Sequence, residues 1–168
     1  MNTRFLLIPT TVLLLAACHQ NPPVVELNTP KVSISDKMAT ANHYVAQSEE
    51  TQMDGFVQRR DWKMLTLKCG ARLMEYQTGK GAAIDYEDSV HVRYTVTTLT
   101  DKILYSDHEE DFVAGRLQTI VGLDEAVMHL RRGSKAHLII PSEAAYGVPG
   151  DGDRIPTRTV LVMDLEIL

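Results

Sequence analysis

A chain of 168 residues with 44% hydrophobic content has material for one buried core and a modest extension, which argues against two full-sized domains. Its formal charge of -5, with 17 basic against 22 acidic side chains, argues against a nucleic-acid partner, because phosphate binding needs clustered Lys and Arg. The short basic pairs Arg59-Arg60 and Arg131-Arg132 form no stripe and read as solvated.

Residues 1–17 read as a lipoprotein signal peptide. Arg4 supplies a positive start, Phe5 to Leu15 an apolar run, and Leu15-Ala16-Ala17-Cys18 a cleavage region that resembles a bacterial lipobox. The run is interrupted by Pro9, Thr10 and Thr11 and falls short of the about 20 apolar residues that a spanning helix needs. Cys18 is therefore the expected lipidation site, placing the protein in the bacterial cell envelope, on the outer membrane facing the periplasm. With Cys18 modified, Cys69 has no partner for a disulfide and reads as a small buried thiol. Residues 18–34, polar and carrying Pro22, Pro23 and Pro30, read as an extended tether reaching about 50 Å at about 3.3 Å per residue.

The next segment, 35–60, is expected to be helical. Ser35 can cap it, Asp36 complements its dipole, and Met38, Ala41 and Val45 recur at helical spacing. The pattern weakens through Ser48-Glu49-Glu50-Thr51 and recovers at Met53, Phe56 and Val57, so one long or two short amphipathic helices fit, with Gly55 as a weak point. Such an extension serves either as a stalk packed loosely on the domain or as a surface for a protein partner or self-association. Its removal is expected to leave catalysis intact.

Residues 61–168 form the expected domain, where the hydrophobic period changes to two. Arg72 to Tyr76, Val90 to Val96 and Leu161 to Ile167 alternate as half-buried strands, with Ile103 to Tyr105 and Ala136 to Ile140 as further candidates. Leu123, Val127 and Leu130 share one face of a short helix closed by Arg131-Arg132-Gly133. One helix against an antiparallel sheet is an α+β arrangement. The last alternating segment is expected to be part of the core, so trimming it should destabilise the domain.

In this domain V-H-V-R-Y-T, G-R-L-Q-T-I-V-G-L-D-E-A-V, G-S-K-A-H-L-I-I-P, A-A-Y-G, R-I-P and V-L-V-M-D-L-E-I-L follow one another in an order and spacing that resemble the FKBP-type peptidyl-prolyl isomerases. The resemblance implies a five- or six-stranded sheet curled around one helix. The blocks A-N-H-Y-V-A-Q and D-G-F-V-Q-R-R-D-W-K-M resemble, more loosely, the helical extension of lipoprotein members associated with gliding motility.

The implied activity is cis/trans isomerisation of X-Pro bonds in exported proteins. Proline-containing segments would be the partners, with no cofactor or metal required. No covalent bond breaks in this reaction; resonance sets a barrier of about 18–20 kcal/mol, and a site lowers it by favouring the twisted amide. By resemblance, Tyr94, Ile120 and Tyr146 carry the reaction. Leu104, Tyr105, Phe112, Thr119, Leu123, Ile155 and Met163 bind substrate, Tyr105 at the rim. The N–H of Ile120 and the phenol of Tyr146 would bond the peptide.

The sequence departs from the family at four of these positions. Leu104 and Tyr105 stand for a phenylalanine and an aspartate, Leu123 for a tryptophan and Met163 for an aromatic. If losing the indole forfeits about 1–2 kcal/mol of apolar contact, the rate falls roughly tenfold. A weakly active or inactive peptide-binding module in an envelope assembly is the rival expectation. His108-Glu109-Glu110-Asp111 lacks a defined ligand spacing and reads as a solvated loop, and Gly150-Asp151-Gly152-Asp153 lacks the bidentate Glu of a calcium loop.

Overall fold

The computed structural model describes residues 33–168; the expected signal peptide, Cys18 and the tether up to Val32 lie outside the described residues. Helix α1 spans Ile34–Arg60 without a break. Its cap is Ser33 rather than Ser35, because Asp36 lies three residues after Ser33. The Asp36 N–H donates to Ser33 Oγ (3.0 Å) and the Ser33 N–H donates to the Asp36 carboxylate (3.2 Å), a reciprocal pair that Ser35 is too close to make. Asp61 ends the helix in a left-handed conformation (φ 52°). Glu49, Met53 and Phe56 are its buried residues, spaced to share one face, whereas Met38 is exposed.

Six antiparallel strands follow: β1 Leu65–Thr66, β2 Arg72–Gln77, β3 Ser89–Thr98, β4 Ile103–Val113, β5 Lys135–Ile140 and β6 Leu161–Ile167. They form one sheet in the order β1-β2-β5-β6-β3-β4. β6 lies in the middle, pairing Ile167 with Val92 on one side and Leu165 with Ala136 on the other. The short helix α2, Val121–Val127, supplies Leu123, Ala126 and Val127 to the main core, beside Leu138 and Ile140 of β5 and Met163, Leu165 and Ile167 of β6. Gly122 permits that approach, since a Cβ there would run into Ile140.

The architecture is the expected α+β one, with two differences. β4 extends to Val113 and so includes the acidic run read as a loop, because Arg93 faces Glu109 and His91 faces Asp111 across the β3–β4 pair. The second difference concerns α1, which is not loosely attached. Met53 and Phe56 bury against Ile139, Val160 and Val162 on the opposite face of the sheet, joined by Val57, Trp62 and Leu99. β5 is thereby covered on both faces, which accounts for its continuous apolar run Leu138-Ile139-Ile140 in place of alternation. Burial of Phe56, 1% exposed, is worth about 1.5–3 kcal/mol.

Candidate active site

β3 places Val90, Val92, Tyr94 and Val96 on the face that α2 covers, and each is buried. Opposite Val90 and Val92 on β4 lie Phe112 and Glu110, so these two share that face. Tyr94, Leu104, Phe112, Leu123, Ile155 and Met163 belong to one buried cluster, with Tyr105, Ile120 and Tyr146 packed against it half-exposed. Nine of the ten sequence-predicted site residues therefore come together; Thr119, polar and half-buried, lies outside the apolar cluster. Their exposure differs, however. Leu123 (0%), Met163 (1%) and Phe112 (3%) are sealed, Ile155 (4%), Leu104 (5%) and Tyr94 (6%) are nearly so, and the outer positions fall to Ile120, Tyr105 and Tyr146.

Polar order comes from two carboxylates. The Tyr94 hydroxyl donates to Glu110 Oε2 at 2.8 Å. Burial, and then this bond, pushes the Tyr94 phenol pKa well above its ordinary value. The Tyr105 hydroxyl donates to Asp151, and that bond, with burial, raises its pKa to about 12. Burial alone would raise the Asp151 carboxyl pKa; the bond from Tyr105 and those from the N–H groups of Asp153 (2.9 Å) and Ile155 (2.7 Å) outweigh it and lower the value. Asp151 thus folds the 151–155 loop and sets Ile155 into the cluster, while the Arg154 guanidinium lies 5.1 Å from the centre of the Tyr105 ring.

Tyr146 differs from the other two phenols. Burial, and then the charges of Glu110 and Asp151, raise its pKa, with no hydrogen bond contributing. All three phenols are therefore protonated at neutral pH, and Tyr94 and Tyr105 have committed their protons to carboxylates. Among the described residues the Tyr146 hydroxyl makes no hydrogen bond, so it remains available as a donor to a ligand. The backbone N–H of Ile120, at the start of α2, likewise bonds no backbone carbonyl among the described residues, although its carbonyl accepts from Leu123 and Asp124. Two donors beside an apolar layer suit a reaction that needs no nucleophile or base.

Sequence reasoning missed Glu110 because it lay within a run taken for a loop. Its signal was the two-residue step back from Phe112 along a strand whose outward acids face Arg93 and His91. Glu110 and Asp151 both bring acids to the site. His137 is half-buried and stacks on Trp62 with ring centres 4.3 Å apart. Cys69 is half-buried against the core, where burial raises its thiol pKa. A cleft of about 740 Å³ lies between α1, Cys69 and the Ser142–Val148 segment; Val121 and Gly147, the chain neighbours of Ile120 and Tyr146, line it, but none of the three phenols does. The phenol cluster remains the better candidate because the freed donors and the apolar layer meet there.

The family model for the FKBP-type peptidyl-prolyl cis-trans isomerases matches residues 81–168. A probable FKBP-type peptidyl-prolyl cis-trans isomerase of Haemophilus influenzae is 30% identical over 146 residues, covering 81% of this chain and 60% of that protein. The isomerase FkpA of Escherichia coli K12 is 34% identical over 97 residues, 55% of this chain and 34% of its own length. This chain thus spans less than two thirds of either relative. Among solved structures, a peptidyl-prolyl cis-trans isomerase of Pseudomonas syringae superposes with a TM-score of 0.62 at 30% identity, over 75% of this chain and 92% of that one. FkpA from Escherichia coli gives 0.61 at 28% identity, over 80% and 64%. With the matched region spanning β3 to β6, α2 and every residue of the phenol cluster, the chain belongs to the FKBP-type peptidyl-prolyl cis-trans isomerase family.

Proposed function

We propose that this chain isomerises X-Pro bonds of exported polypeptides; the reading is carried by the Tyr146 hydroxyl, whose ring packs against the apolar cluster and which makes no hydrogen bond among the described residues. The prolyl ring rests on Tyr94, Leu104 and Ile155 over the sealed layer of Leu123, Phe112 and Met163. Ile120 N–H and Tyr146 Oη donate to the peptide and hold it while the amide twists. Loss of conjugation makes the twisted carbonyl less polar, and an apolar environment disfavours that state less than water does. Uncatalysed rotation takes tens to hundreds of seconds. If the Tyr146 bond is worth about 1 kcal/mol, Tyr146→Phe lowers kcat/KM roughly fivefold.

The leader ending in Cys18 and the proline-bearing tether support an anchored lipoprotein acting in the cell envelope, in the manner of the gliding-motility-associated members. Exposure of Ile34 (74%), Met38 (63%) and Tyr44 (67%) on the first half of α1 favours a second role, docking of a protein partner or a second copy there. The test is a protease-coupled or refolding assay with proline peptides, comparing the purified protein with Tyr146→Phe. Equal catalysis by the two removes the hydroxyl from the mechanism; refolding that the unmodified protein fails to accelerate removes the isomerase reading.

A further inference from the structure

Glu49 is 6% exposed on the sheet-facing side of α1, between residues that pack as hydrophobes. A buried carboxyl needs hydrogen-bond partners, and packing alone would be served at least as well by an apolar side chain. Among the described residues its partner is a single residue. The Ser142 N–H donates to Glu49 Oε2 at 2.9 Å and the Ser142 hydroxyl donates to Glu49 Oε1 at 2.6 Å. Ser142 opens the 3-10 turn Ser142–Ala144, and its carbonyl accepts from the N–H of Ala145 (3.1 Å) and of Gly147 (2.8 Å). Those two donors flank Tyr146. A second tie reaches the same segment: the Gly147 carbonyl accepts from Arg158 N–H (2.9 Å), and Arg158 Nη2 donates to Asn42 Oδ1 (3.1 Å) two turns before Glu49.

We propose that Glu49 is a positioning residue for Tyr146, so that helix α1, outside the matched family region, is part of the working active site. The inference rests on the isomerase reading, with Tyr146 as the donor to the peptide. Glu49 touches no substrate; it fixes Ser142, and Ser142 fixes the turn that aims the phenol. Without Glu49, the Ser142 N–H and hydroxyl lose their acceptors and the turn shifts. Misplacement of a reacting or orienting group by about 1 Å can lower a rate by up to about 100-fold.

The test is a double-mutant cycle on the full chain, with kcat/KM for a proline peptide as readout and Trp62 emission as the monitor of α1 docking, since Trp62 meets Phe56 edge-on at 5.8 Å. Glu49→Ala is expected to lower kcat/KM about tenfold, and by no more than about twofold in a Tyr146→Phe background, because coupled residues are not additive. Glu49→Gln should recover most of the loss, its amide carbonyl accepting from Ser142 N–H and its NH2 donating to Ser142 Oγ. Trp62 emission stays unchanged throughout. Equal losses from Glu49→Ala in both backgrounds overturn the proposal, as does full activity of Glu49→Ala. Should Glu49→Ala fail to fold, Ser142→Ala, which removes only the hydroxyl bond, takes its place in the same cycle. Absence of catalysis in the unmodified chain defeats the isomerase reading instead. Amide exchange of Gly147 then decides: acceleration in Glu49→Ala with unaltered Trp62 emission supports the positioning role, and unchanged exchange overturns it.

Discussion

Removing the Glu110 side chain should unsettle Tyr94 more than removing the Tyr94 hydroxyl unsettles Glu110. Tyr94 is 6% exposed and its hydroxyl donates to Glu110 at 2.8 Å, so Glu110→Ala strands a donor in the core. An unsatisfied buried donor costs about 1–3 kcal/mol. Tyr94→Phe instead frees Glu110, which is half-exposed and can turn to water, at about 1 kcal/mol. The double variant has neither orphan, and its loss should approach that of Tyr94→Phe alone, leaving a coupling of about 1–3 kcal/mol. Thermal melts resolve this, since 1 kcal/mol moves Tm by about 4 °C in a unit of this size. Losses that add within about 0.5 kcal/mol would refute the pairing. Titration offers a second view. Because the folded Tyr94 pKa lies above its unfolded value near 10, the protein gains stability from this group below pH 10 and loses it as pH rises from 10 towards the folded value. Glu110→Ala should lessen that alkaline loss without abolishing it, as burial remains the larger cause.

Three further outcomes follow from the packing. Burial holds the His137 pKa below 6.5 against the pull of Asp164, 3.7 Å away, so urea stability should decline as pH falls through 6.5 towards the folded value; His137→Gln should flatten that slope, and equal slopes would contradict it. Leu123→Trp, which would restore the family's aromatic, should overpack the sealed layer under α2 and cost about 1–3 kcal/mol; a Tm equal to or above that of the parent would show that space exists there. Deleting 35–60 should uncover Ile139, Val160 and Val162 and lower stability along with activity, contrary to the expectation that catalysis survives; Phe56→Ala should cost about 3–5 kcal/mol, and a loss below 1 kcal/mol in calorimetry would mean that α1 contributes little.

The sheet was legible wherever one face is wet. Val90 to Val96 alternates because every second side chain enters the core, and Met163, Leu165 and Ile167 do the same beyond Val162, which α1 covers. Legibility failed where an element met something distant in sequence. Glu49 fell in the stretch where the helical apolar pattern weakened, yet it is the buried residue that ties α1 to the Tyr146 turn, since its partner lies 93 positions on. Glu110 was hidden similarly, its purpose visible only once β4 is laid against β3 in register. Of the site, the apolar members came through resemblance, and their type alone would have served any sheet. The distinction between committed and free phenols required the positions of Glu110 and Asp151, which no local pattern states.

The place of β6 between β3 and β5 bears on how fast the domain can form. The β3–β4 hairpin can close early, and β2 and β5 can pair without it, but only β6 bonds to both halves. Its pairing with β3 closes a loop of about seventy residues, a long-range contact of the kind that slows folding. Substitutions in the middle of β6, at Met163 or Leu165, should therefore slow refolding as well as hasten unfolding, whereas substitutions in the outer strand β1 should act on unfolding alone.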